Sequence, residues 1–332
     1  MIYIIFLLYI ISLIFISQLN NSATVKISAG LFWLISFIFI IAIVVRPSYL
    51  PDYNAYFRFF SGESSSERFE PSAKLIKKLS PDFHFFLFIF ALISFGLKII
   101  TIKRCSSSQL LSLVTLLSTT FVLHDMIQIR ASCAIAIFLW SLQYLSERKY
   151  LKYFSCIGIA YLFHYSSAIY FFIPLFSKDK ISRKFWILLF LFSYGLYFIH
   201  IDLIDFAKKI IPSGTYLLGT LQQFSGQRVN VFNAGQMLKL LIFLIFVYKA
   251  KQLNHYQIIC LKILGLSVIS VPLLASISVL AFRISELLYP VIIFLLPEFI
   301  NIFKSKTYSM LGFIILIVML FFINNIYPGY FF

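Results

Sequence analysis

Acidic residues are scarce: Asp and Glu number 12 against 28 Lys and Arg, and only 12% of the 332 residues are charged. A soluble domain carries roughly a quarter charged residues, so water is not the main solvent of this chain. Cysteine is sparse as well. Cys105, Cys133, Cys156 and Cys260 form no Cys-x-x-Cys pair and no metal-like His/Cys spacing, and they read as small apolar fillers. No P-loop, Gly-rich dinucleotide turn, Gly-x-Ser-x-Gly elbow or His-Glu-x-x-His occurs. Nucleotide-driven transport and zinc hydrolysis therefore have no local support, and neither a metal nor a cofactor is expected. Also missing is the polar/apolar alternation of a membrane barrel. The excess of +16 lies in short clusters between apolar runs, without the compact basic domain that nucleic-acid recognition requires.

What is present is hydrocarbon: 61% of the chain is hydrophobic. A bilayer core about 30 Å thick needs about 20 apolar residues per helix, and backbone groups inside it must be paired within the segment. The expected fold is all-α, a polytopic transmembrane helical bundle of about 12 spans forming a single integral membrane domain over 1–332. Apolar segments lie at about 2–17, 27–45, 82–102, 108–123, 131–146, 150–163, 165–177, 185–200, 231–248, 256–279, 283–300 and 307–323. Met1-Ile2-Tyr3 has no basic n-region and no small-residue cleavage site follows, so the first run is expected to stay as a helix.

The densest basic turns are Lys103-Arg104, Arg148-Lys149 with Lys152, Lys178 with Lys180, Arg183 and Lys184, Lys249 with Lys251, and Lys304 with Lys306. The positive-inside bias puts them on the cytoplasmic face. Tyr150 to Ser177 is long for one helix and short for two, yet basic at both ends. A short helical hairpin turning near His164 resolves this and leaves every basic cluster on one side. The opposite face then receives loops at about 46–81 and 201–230, the His124-to-Arg130 turn, the His164 turn and the Arg283 boundary.

Candidate chemistry collects there. Arg46-Pro47-Ser48-Tyr49-Leu50-Pro51-Asp52-Tyr53-Asn54-Ala55-Tyr56-Phe57 follows an apolar helix. Arg46 fits a snorkelling side chain as well as a ligand-binding one, whereas Asp52, beside two prolines and a Tyr-x-x-Tyr pair, has no topological task. Glu63, Glu67 and Arg68 lie in a solvated Ser-rich stretch. His124-Asp125-Met126-Ile127-Gln128-Ile129-Arg130 places a guanidinium at the start of an apolar helix, where free N–H groups and the dipole suit phosphate. His164 sits between two apolar runs, as a packing residue or a functional one. Arg283 and Glu286 share a helix face and are expected to pair; Arg228 is a weaker member of the set.

In order, Arg46, Asp52-Tyr53 with Tyr56, Glu70-Pro71, Arg130 opening a small-residue helix, Arg148-Lys149-Tyr150 and Phe163-His164-Tyr165-Ser166-Ser167-Ala168 resemble the EpsG-like group of Wzy-type polysaccharide polymerases. One departure is Pro51, where that group often has glycine or threonine. The resemblance implies a glycosyltransferase at the outer face of the bacterial inner membrane, joining undecaprenyl-diphosphate-linked oligosaccharide repeat units into O-antigen, capsule or exopolysaccharide. A chain-length regulator and a flippase are the implied pathway partners. On this reading Arg130 and Arg283 hold the donor diphosphate, Asp52 or His164 accepts the acceptor proton with Asp52 favoured, and Arg46, Tyr53 and Tyr56 position sugar or phosphate. Arg228 and Glu286 join the substrate-binding set. A lipid-oligosaccharide flippase would carry charge at mid-membrane depth, a membrane O-acyltransferase would face its chemistry inward, and an O-antigen ligase would share the outer-face arginines and histidine.

Overall fold

The computed structural model describes residues 22–63, 69–178, 180–199, 229–302 and 305–326, and every regular element among them is helical. The main elements are α1 (Ser22–Val44), α2 (Tyr53–Ser61), α3 (Pro71–Leu79), α4 (Phe83–Cys105), α5 (Gln109–Thr119), a π-helical segment (Phe121–Ile127), α6 (Ile129–Ser146), α7 (Tyr150–Phe163) and a 3-10 helix (Tyr165–Phe176). They continue with α8 (Arg183–Phe198), α9 (Ala234–Tyr248), α10 (His255–Leu273), α11 (Ser278–Ile302) and α12 (Lys306–Ile326). On α1, Trp33, Leu34, Phe37, Ile38 and Ile41 are exposed while Phe32, Ile35 and Ile43 are buried. An outward apolar face of this kind is matched to lipid and is costly in water, at about 25 cal/mol per Å².

Six helices are long and apolar enough to cross a membrane: Ile27–Val44 within α1, then α4, α6, α10, α11 and α12. A seventh appears if α5 and Phe121–Ile127, bent by 74° at their junction, count as one broken span. The expectation of about 12 is not met among the described residues. Tyr150–Phe163, Tyr165–Phe176, Arg183–Phe198 and Ala234–Tyr248 are helices of 14, 12, 16 and 15 residues. At a rise of about 1.5 Å per residue, or about 2 Å in a 3-10 helix, each falls short of a core about 30 Å thick. Apolar composition marked these segments, but composition does not set where a helix stops. The first expected span at 2–17, residues 201–228 of the second loop, and Arg228 with them lie outside the described residues.

The break near His164 is present, since α7 ends at Phe163 and the 3-10 helix starts at Tyr165. The stretch read as a loop at 46–81 contains two short helices, α2 and α3, which bury Tyr56, Phe59, Ala73 and Ile76. The described residues divide into two units, one from Met1–Pro174 with Ile292–Phe332 and the other from Leu175–Val291.

In the first unit α2, α3, α4, α6 and α7 enclose a core rich in phenylalanine, with Phe59 stacked on Phe69 at 3.8 Å between ring centroids. The 3-10 helix is fastened to it by Tyr170, whose ring stacks on Phe138 at 3.7 Å and whose carbonyl accepts the Tyr153 hydroxyl at 2.7 Å. In the second unit Tyr194, Val229, Val231, Val271, Ala275 and Ala281 form a smaller core. There α8 lies close to α10 at Gly265, where an added Cβ would meet the Trp186 ring at 2.5 Å. Close approach through a small residue is the usual way membrane helices gain contact without a hydrophobic driving force.

Candidate functional site

Short backbone devices at the ends of helices bring four of the first unit's polar side chains together. Pro47 follows Arg46, and a residue before proline is pushed out of helical geometry, which ends α1 there. The same rule acts on Glu70, which precedes Pro71 at the first turn of α3 and is extended (φ −65°, ψ 161°). Its side chain thus leaves the helix axis and reaches across the core. Ser72 of the same turn donates to the Leu162 carbonyl at 2.8 Å, tying the start of α3 to the end of α7 beside His164.

Glu70 is the hub. One carboxylate oxygen, Oε2, accepts from Arg130 Nη1, and Oε1 lies 3.2 Å from His164 Nδ1. Burial alone would raise the Glu70 carboxyl, but the His164 hydrogen bond and the Arg130 charge outweigh it and hold it below its ordinary value. An ionised Glu70 favours the tautomer with hydrogen on Nδ1, leaving Nε2 of His164 as the basic nitrogen.

Tyr56 stands between two guanidiniums. Arg46 lies 5.9 Å from its ring centroid and Arg130 5.8 Å, with Arg130 also 4.6 Å from the Phe69 ring. Arg130 hydrogen-bonds the Tyr56 hydroxyl, whose pKa is raised, chiefly by burial. Arg46 is only 4% exposed, and Nη1 donates to the Met126 carbonyl at 2.7 Å, while Nε and Nη2 meet no acceptor among the described residues. Burial lowers its pKa to about 10, with Tyr56, Tyr53 and Asp52 acting in the opposite sense, so it remains a full cation at neutral pH. A buried guanidinium using one of its nitrogens leaves N–H donors that are complementary to an oxyanion.

The other expected residues fall as follows. Asp52 is exposed, near enough to act on Arg46 through its charge, and its backbone is left-handed at φ 63° without a side-chain bond to cap α2. Tyr53 is half-buried with its ring edge-on to Phe83 at 5.4 Å. Arg283 belongs to the second unit, is exposed and makes no ion pair among the described residues, so the expected Arg283–Glu286 pair does not form. Three helical positions still leave about 60° between side chains, enough for Arg283 to face outward. Glu286 is half-buried and acts electrostatically on Lys239, which lies 4.3 Å from the Tyr289 ring.

Two features were not singled out from the residues. Glu70 entered only through the family pattern, although an acid directly before a helix-opening proline is a readable signal. Lys98 and Asp125 form a second, fully buried cluster: Lys98 Nζ donates to both Asp125 oxygens and to Ser132 Oγ, each at 2.8 Å. A lysine inside the apolar run 82–102 was the available signal for that one. Among the described residues no group of three His, Cys, Asp or Glu could hold a metal ion.

No curated protein and no solved structure matches the chain. The EpsG family matches residues 30–331, a range that includes every residue of the site, and the chain therefore belongs to the EpsG family of polysaccharide-polymerase-type membrane proteins.

Proposed function

We propose that this protein polymerises lipid-linked oligosaccharides at the outer face of a bacterial inner membrane, transferring the growing chain from undecaprenyl diphosphate to a hydroxyl of the next lipid-linked repeat unit. The observation that carries the reading is Arg46, a buried guanidinium with Nε and Nη2 unsatisfied, set with Arg130 around Tyr56 and next to the Glu70–His164 contact. A lipid diphosphate is the leaving group whose charge such a pair offsets.

In the reaction, His164 Nε2 takes the proton of the acceptor hydroxyl as its oxygen attacks the anomeric carbon of the donor sugar. The bond from that carbon to the diphosphate oxygen breaks, its electron pair leaving with the undecaprenyl diphosphate, which Arg46 and Arg130 hold. Glu70 stabilises the resulting imidazolium and orients the ring. The contact with Glu70 supports assigning the base to His164 rather than Asp52, and Asp52 with Tyr53 is assigned to the Arg46 side of the site. Direct displacement inverts the anomeric centre. A chain-length regulator and a flippase would act before and beside it.

The test is purified protein in lipid vesicles with synthetic undecaprenyl-diphosphate-linked repeat units. Long chains should form, and should be lost in Arg46→Ala. Movement of the substrate across the bilayer without extension would make the protein a flippase, and transfer onto a lipid A core without extension would make it a ligase.

A further inference from the structure

We propose that Lys98, Asp125 and Ser132 are positioning residues that aim Arg46 and Arg130 at the diphosphate. The inference rests on the anion-binding reading of Arg46 given above.

Asp125 sits in the π-helical segment Phe121–Ile127, which leaves the axis of α5 by 74°. The turn keeps backbone bonds of its own, His124 N–H to the Thr120 carbonyl and Gln128 N–H to the Leu123 carbonyl, both at 2.9 Å, and such turns accompany functional sites. What ties this one to the neighbouring helices is its acid. Asp125 takes two bonds from Lys98 of α4, and Oδ1 takes a third from Ser132 Oγ of α6 at 2.6 Å. All three side chains are wholly buried.

The next residue along is Met126, whose carbonyl is the acceptor that holds Arg46 Nη1. Ser132 is two positions beyond Arg130 on the first turn of α6. The triad therefore fastens the acceptor of one guanidinium and the helix end that carries the other. A buried pair of this kind is often no more stabilising than apolar residues of the same volume, which separates its effect on aim from its effect on stability.

The experiment uses the full chain in detergent with inorganic pyrophosphate as probe, measured by titration calorimetry, and hydrogen exchange over Phe121–Arg130. In the doubly apolar variant Lys98→Met with Asp125→Leu we expect wild-type yield, faster exchange in that segment and at least a 10-fold higher Kd for pyrophosphate, because displacements near 1 Å cost about 10²-fold at a site of fixed geometry. Ser132→Ala, which leaves the ion pair intact, should shift both readouts the same way by less, and it serves if the double variant does not accumulate. In an Arg46→Ala background, clamp loss should raise the Kd no further through Arg46.

A purely structural role would lower yield and leave the Kd of the surviving protein unchanged, which overturns the proposal. Unchanged exchange in Phe121–Arg130 overturns it as well, whatever happens to pyrophosphate. If exchange rises while Arg46→Ala leaves pyrophosphate binding at the wild-type level, the anion reading of Arg46 has failed and the clamp has lost its purpose with it. The two failures are thus told apart.

Discussion

Two groups of charged side chains buried in the same unit meet the low-dielectric interior in different ways. Around Asp125 the account is closed: the ammonium of Lys98 has three N–H donors and three acceptors, and the charges cancel. Around Glu70 it is open: one carboxylate faces Arg130 and His164, while Arg46 beside them leaves two nitrogens without acceptors. A closed cluster fixes geometry. An open one has binding capacity left over, and the guanidinium donors left over name the ligand class. The difference is set by backbone: Lys98 and Asp125 lie along packed helical segments, whereas Arg46, Glu70 and His164 all lie at helix ends, where side chains from different elements can converge.

The comparison is broken most sharply at His164. His164→Ala should cost about 10² to 10⁴ in turnover on lipid-linked repeat units with unchanged protein level, as loss of a general base does. Turnover within a few-fold of wild type would remove His164 from the chemistry. Next come the guanidiniums. Arg46→Lys and Arg130→Lys keep charge but not the fork, and each should lower turnover by about 10² to 10³, the scale of losing one oriented donor to a developing anion. The open cluster also predicts that Arg46→Met has a thermal midpoint no lower than wild type, because it removes a poorly paired buried cation; a clear drop would mean that Arg46 is structural.

The closed cluster should behave in the reverse order. Asp125→Asn leaves Lys98 buried without its counter-charge and should destabilise by about 3–5 kcal/mol, seen as reduced accumulation and a lower midpoint before any kinetic effect. A normal midpoint would show that water reaches Lys98.

Acid sharpens the contrast further. Glu70 has a folded pKa below its ordinary 4.5, so the stability it contributes is present above about pH 4.5 and is lost as pH falls through the lower folded value. The difference in thermal midpoint between wild type and Glu70→Gln should therefore shrink from pH 6 to pH 3.5; a difference that grows on acidification would contradict the Glu70 contacts. The smallest effect is expected at Asp52, whose backbone has φ 63°. Asp52→Gly relieves a left-handed residue and should alter stability by no more than about 1 kcal/mol in either direction, while Asp52→Asn keeps most of the turnover. A loss as large as that of His164→Ala would return the base to Asp52.

Composition by itself determined the solvent and the class of this protein: with so few charges and so many apolar runs, helices in lipid are the available way to pair the backbone. Periodic breaks also placed the turn at His164 and the ends at Arg46 and Arg130, because proline and charge act locally. The number of spans was not determined, since a run of apolar residues records where lipid or protein surrounds a segment but not which. The tertiary structure decided the partners. Glu70 and His164 are 94 positions apart, Arg46 and Met126 80, and Lys98 and Asp125 27. Attraction between groups this far along a chain depends on how the helices between them pack, and no local propensity encodes that distance. For the same reason the pairing expected at Arg283 and Glu286 from spacing alone did not form: one helix offers proximity, but the surroundings decide which way each side chain turns.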